Sequence, residues 1–145
     1  MNIGIVYSGG GSRGAMLAGV NSVLLKENNI NIIGTTGTSI GSLIACSIAT
    51  HKTDLVDDLW LKNDMNSYLF KQLIKSPYNL IKHKAITDGT YISDLINLMI
   101  NKDENNIINS SIKFGCCYTD LISGELKTIY NTKNNQGILK KSIQA

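Results

Sequence analysis

The chain has 145 residues, 43% of them apolar, which suffices for one domain with a buried core and leaves little room for a second. Its net charge of +3 is too small for a nucleic-acid footprint, and thirteen of its fourteen cations are lysines scattered along the sequence. Three cysteines, Cys46 and the adjacent Cys116 and Cys117, suit a reducing compartment rather than a disulfide framework.

Ile3 to Tyr7 is a short apolar run ended by glycines, the pattern of a buried parallel strand. Nothing resembling a cleaved signal precedes it, since Met1 and Asn2 lead directly into the run, and no window is apolar for long enough to span a bilayer. A cytoplasmic protein, at most peripheral to a membrane, is expected. The turn Gly9-Gly10-Gly11-Ser12-Arg13-Gly14 follows, and Met16, Leu17, Val20, Val23 and Leu24 then recur at helical spacing between Ser12 and about Glu27.

Ile30 to Thr36 reads as a second strand, Gly37-Thr38-Ser39-Ile40-Gly41 as a second glycine turn, and Ser39 to about Thr50 as a helix. This order implies two parallel strands joined by a right-handed crossover, with both turns at the carboxyl edge of the sheet where ligands bind. Gly37 to Gly41 fits G-x-S-x-G, the elbow in which Gly37, Thr38, Ile40 and Gly41 flank a raised serine nucleophile, Ser39. Unpaired amides of the first turn, among Gly9, Gly10, Gly11, Arg13 and Gly14, are placed to stabilise an oxyanion.

Farther along, Asp54 to Lys62 reads as a helix. Tyr68 to Lys84 interleaves apolar residues with lysines, a mix that suits a helix and loop over the core or contact with an anionic lipid surface. A helix capped by Thr87 or Asp88 runs through Ile92, Leu95, Ile96 and Met99. Strands Ile112 to Thr119 and Leu126 to Tyr130 flank a turn at Ser123-Gly124, and Gln136 to Gln144 reads as a last helix. Cys116 and Cys117 would point to opposite faces of their strand, which opposes joint metal ligation.

Two other chemistries compete for these motifs. Gly9 to Gly14 also satisfies G-x-G-x-x-G, but the second strand ends in Gly34-Thr35-Thr36-Gly37 with no acid to hold a ribose, and Ala15-Met16 stand where a phosphate loop needs Lys and Ser/Thr. A serine-histidine triad lacks its base. His51 lies about 16 Å of helical rise from Ser39, and His83 sits among lysines as a solvated side chain.

The two glycine motifs, each after a strand and separated by one short helix, resemble the N-terminal part of a patatin-like phospholipase. The likeness is close from Ile3 to about Ala49 and extends by element order to Ala145. It implies an α/β fold, a three-layer α/β/α arrangement around a mainly parallel sheet. It also implies a serine and aspartate dyad acting on phospholipid or another acyl ester, with neither metal nor cofactor. Within that resemblance Ser39 forms the serine ester, and the amides of Gly10, Gly11 and Arg13 hold the oxyanion. Arg13, whose charge opposes the helix dipole by about 0.3 to 1 kcal/mol, would brace the glycine loop or meet a lipid phosphate.

The family's base comes from an Asp-Gly-Gly or Asp-Gly-Ala motif after the serine, and Ser142 to Ala145 resembles the start of the segment that precedes it. Residues 1–145 therefore read as a patatin-like domain incomplete at its C-terminus. Asp88-Gly89 is followed by Thr90 and reads as a helix cap, which leaves Asp120, after the third strand, as the base candidate inside the sequence. Without a base the scaffold would serve as a lipid- or partner-binding module.

Overall fold

The computed structural model describes residues 1–58, 60, 90–100 and 104–144. Their sheet has four strands, β1 (Asn2–Tyr7), β2 (Asn31–Thr38), β3 (Lys113–Thr119) and β4 (Leu126–Tyr130), in the spatial order β1-β2-β3-β4. The first three run parallel and β4 returns antiparallel to β3. The helices are α1 (Gly14–Leu24), α2 (Ile40–Ala49), α3 (Thr53–Asp57), α4 (Thr90–Met99), α5 (Asn105–Ile108) and α6 (Leu139–Gln144). The α/β class and the mainly parallel sheet are those expected from the sequence. Tyr68 to Lys84, His83 and Asp88 lie outside the described residues.

Strand order decides where the helices go. The chain steps from β1 to β2 to β3 in one direction, so right-handed crossovers deposit α1 and α2 on the same face of the sheet. On that face Ile5, Thr35 and Phe114 line up across three strands, and Tyr7, Gly37, Cys116 and Ile129 form the next row. The described helices supply one of the two expected helical layers. On the opposite face Val6, Thr36, Gly115 and Tyr130 form a row, and Val6 is 83% exposed.

The core is centred on α2, whose residues 41–49 are all buried. Ile44 and Ile48 meet Leu95, Ile96 and Met99 of α4, Phe114 of β3, and Leu139 and Ile143 of α6 in one cluster. Side chains of that size contribute about 1.5 to 3 kcal/mol each when fully buried. Buried hydroxyls are paired: Thr35 Oγ1 donates to the Ala45 carbonyl (3.0 Å), fastening α2 to β2. Asn131 stitches the far end of the sheet, accepting from the Phe114 amide (2.7 Å) and donating to the carbonyls of Ile107 (2.8 Å) and Ile112 (3.1 Å).

The apolar periodicity of α1 faces differently from a simple core stripe. Gly14, Ala18 and Asn21 are its buried positions, while Met16, Val20 and Val23 are exposed. Small residues let α1 approach α2 closely, and Asn21 Oδ1 accepts from the Tyr7 hydroxyl (2.6 Å), so the buried stripe is the small and polar one. Met16, Gly19, Val20, Val23, Leu24 and Glu27 line an apolar groove of about 570 Å³ on the outer side.

Candidate active site

Both glycine turns leave the carboxyl ends of adjacent parallel strands, β1 and β2, which places them side by side at one edge. The approach is close. A methyl group placed on Gly9 would lie 3.2 Å from Ser39 Cβ and 3.4 Å from the Thr38 carbonyl oxygen. One placed on Gly41 would lie 2.5 Å from the Tyr7 carbonyl oxygen and 2.6 Å from that of Ser8, so the first turn of α2 rests directly on the end of β1.

Ser39 occupies φ 53°, ψ −131°, a conformation that a residue with a side chain adopts only where its surroundings compel it. The compulsion is visible on both sides. Gly37 presses against Gly41, where an added methyl group would come within 2.3 Å of the Gly41 carbonyl carbon and oxygen. The Ser39 carbonyl accepts from the Ser42 amide (2.8 Å) and the Ser42 hydroxyl (2.6 Å), which ties the bend into α2. The side chain of Ser39 is thereby lifted out of the sheet and exposed. Ile40 and Thr38 flank it.

Residues 11–13 of the glycine loop form a single 3-10 turn. The Arg13 amide donates to the Gly10 carbonyl (3.1 Å), and that of Gly14 to the carbonyls of Gly11 and Ser12. The amides of Gly10 and Gly11 have no acceptor among the described residues, and Gly11 has φ 54°. Arg13 is exposed, and its guanidinium makes no hydrogen bond with a described residue. Its stem instead packs over Gly10, with Arg13 Cβ 3.3 Å from where a Gly10 methyl group would sit, so the loop is braced by aliphatic packing rather than by carbonyl hydrogen bonds.

Behind the loop, Gly14 is enclosed by Ile40 and Trp60, either of which would lie 2.7 Å from a methyl group there. The sequence places Trp60 within the helix read from Asp54 to Lys62 and gives it no part in the site. The one signal for its position was the need for a small residue at Gly14.

Asp120 follows β3, on the same edge, but its carboxylate is engaged in its own turn. Asp120 Oδ1 accepts from the amides of Ile122 (2.8 Å) and Ser123 (3.2 Å). The Ser123 bond first, and then that of Ile122, holds the carboxyl below its ordinary pKa, which weakens it as a proton acceptor. His51 ends the helix that begins at the elbow, in a left-handed conformation (φ 55°). Two of the three thiols are poor nucleophiles: burial raises Cys116 to about 11 and pushes Cys46 higher still. Among the described residues no three His, Cys, Asp or Glu side chains gather as a metal site, and no helix is long and apolar enough to cross a membrane.

Comparison with known proteins supplies the remaining finding. The family model for patatin-like phospholipases matches residues 5–143, a span that contains both glycine turns, the end of β1 and the whole of β2, β3 and β4. A patatin-like phospholipase domain-containing protein of Caenorhabditis elegans is 34% identical over 130 residues, which is 86% of this chain and 9% of that protein. A second C. elegans protein named for the same domain is 30% identical over 131 residues, 86% of this chain and 11% of its own length. The chain thus spans about a tenth of the curated relatives it matches.

Proposed function

The chain belongs to the patatin-like phospholipase family, and on that premise we propose that it carries the nucleophile and oxyanion half of a serine lipid acyl hydrolase. The hydroxyl of Ser39 attacks the carbonyl carbon of a phospholipid or other acyl ester and its proton passes to an aspartate. The tetrahedral intermediate collapses by breaking the C–O bond to the alcohol (a lysophospholipid, for a phospholipid), which leaves with that proton. Water, giving a proton to the same aspartate, then attacks the serine ester to release the fatty acid and return the proton to Ser39. The amides of Gly10 and Gly11 donate to the oxyanion as the tetrahedral intermediate forms. In this reading the aspartate is a residue other than Asp120, whose carboxylate is committed to its turn. Neither metal nor cofactor takes part in this scheme.

The observation that carries the proposal is the contact between Gly9 and Ser39, which brings an exposed, strained serine against a loop whose Gly10 and Gly11 amides have no acceptor among the described residues. A fluorophosphonate probe tests it. Labelling at Ser39, abolished in Ser39→Ala, is the expected result, and a lengthened protein that includes an Asp-Gly motif should hydrolyse phospholipid. A folded lengthened protein that neither labels nor hydrolyses would leave a lipid- or partner-binding module in its place.

A further inference from the structure

The β3–β4 hairpin carries three large aliphatic side chains into solvent at its tip: Leu121 is 96% exposed, Ile122 100% and Leu126 73%. Clusters of this kind on a surface mark contacts with an apolar partner. The hairpin leaves the same sheet edge as Ser39. Thr38 pairs with Cys117, whereas Tyr118 and Thr119 continue past the last residue of β2, so the tip stands roughly 7 Å or more beyond the level of the nucleophile.

The polar groups of the tip say what kind of medium it suits. The Asp120 amide donates to the Glu125 carbonyl (2.9 Å) and the Gly124 amide to the Asp120 carbonyl (2.7 Å). The amides of Ile122 and Ser123 donate to Asp120 Oδ1, and the Glu125 amide to Ser123 Oγ (3.3 Å). Five of the six amides from Asp120 to Glu125, all but that of Leu121, are therefore satisfied inside the turn. Both acids are also occupied, Asp120 by those amides and Glu125 by Lys127 (2.6 Å). A protein partner could supply missing hydrogen bonds to a loop. Hydrocarbon cannot, and a segment that enters it must bring its own.

We infer that the tip Leu121-Ile122, with Leu126 at its base, is a membrane anchor that inserts into the surface of a zwitterionic phospholipid bilayer and sets the Ser39 edge against the lipid. This rests on the lipid-hydrolase reading above and adds the docking element to it. The turn is already ordered by its internal hydrogen bonds, so insertion buries aliphatic surface without an ordering cost in the loop.

Sedimentation of the chain with sucrose-loaded phosphatidylcholine vesicles tests the anchor. The wild type is expected to partition to the vesicles, and Leu121→Ser with Ile122→Ser to lower the partition coefficient by on the order of tenfold or more. Equal partitioning of the two proteins, or none by the wild type, overturns the inference. Should the double variant fail to fold, Ile122→Trp keeps the tip apolar: its added fluorescence should shift to the blue with vesicles, and unshifted emission is equally fatal. Self-association in the absence of lipid that the serine pair abolishes, with partitioning unaltered, would assign the tip to contacts between copies and also overturn it. Ser39→Ala should sediment like the wild type, so absent phosphonate labelling with retained partitioning sinks the Ser39 reading alone.

Discussion

Gly9 and Ser39 touch across the edge of the sheet, with room for a hydrogen on Gly9 and very little for a methyl group, which would stand 3.2 Å from Ser39 Cβ. That contact joins the two glycine turns into one site. Gly9→Ala is expected to leave the fold intact, since the neighbouring atoms need give by only a few tenths of an ångström, but to displace the serine from the loop amides. Labelling of Ser39 by a fluorophosphonate should slow on the order of tenfold to a hundredfold, with little change in Tm. Labelling at the wild-type rate would mean that the contact does not set the nucleophile.

Gly37→Ala should behave differently. An added methyl group there would meet backbone, the Gly41 carbonyl at 2.3 Å and the Ser42 amide nitrogen at 2.6 Å, and backbone cannot swing aside as a side chain can. The bend and the first turn of α2 must move apart, in a helix whose residues 41–49 are all buried. A loss of more than about 3 kcal/mol is expected, read as a lower urea midpoint or as insoluble protein. A Gly37→Ala protein with wild-type stability would show that the elbow is looser than this packing requires.

The hydroxyl of Tyr7 makes stability depend on pH in the alkaline range. It donates to Asn21 Oδ1 at the buried seam between β1 and α1, and burial raises its pKa from 10 to about 12, against a smaller lowering by that hydrogen bond. In the unfolded chain the phenol ionises near 10, so between about 10 and 12 the unfolded state binds fewer protons and is favoured as pH rises. The stabilisation is complete below pH 10 and lost as pH passes 12. Tyr7→Phe leaves Asn21 unpaired and should cost about 1 to 3 kcal/mol at neutral pH. The gap in urea midpoint between wild type and Tyr7→Phe should then narrow from pH 10 upward, and a constant gap would remove Tyr7 as the titrating group.

Much of this arrangement was legible because glycines punctuate it. Strand β4 has the bounds read from sequence, and β1, β2 and α2 lie within two residues of theirs, β1 and β2 because each runs into a glycine turn. The burial of α1 was not legible. Periodicity points to Met16, Val20 and Val23, but the face that closes on α2 is Gly14, Ala18 and Asn21, and its partner hydroxyl on Tyr7 is seven residues before the helix begins. Nor was the short α5, whose entry at Glu104 depends on a partner far along the chain. The Glu104 carboxylate accepts from the amides of Gly137 (2.7 Å) and Lys140 (2.9 Å) at the start of α6. At the site, spacing singled out Ser39 and the glycine loop, and the resemblance singled out the amides of Gly10, Gly11 and Arg13; the structure turns the Arg13 amide, like that of Gly14, into the 3-10 turn, which no spacing signals.

Asp120 shows how a carboxylate at the right edge can have a different duty. Its Oδ1 accepts from Ile122 and Ser123, and an amide oxygen can do the same, whereas a proton acceptor in a dyad must be a carboxylate. Asp120→Asn should therefore keep both the turn and the rate of Ser39 labelling. Asp120→Ala removes the acceptor, so the amides of Ile122 and Ser123 should exchange with deuterium faster while those of the core strands Phe114 and Cys116 keep their protection. Restoration of slow exchange by Asn but not by Ala is what a turn-holding role requires. A collapse of labelling in Asp120→Asn, with the turn still protected, would instead return Asp120 to the position of base.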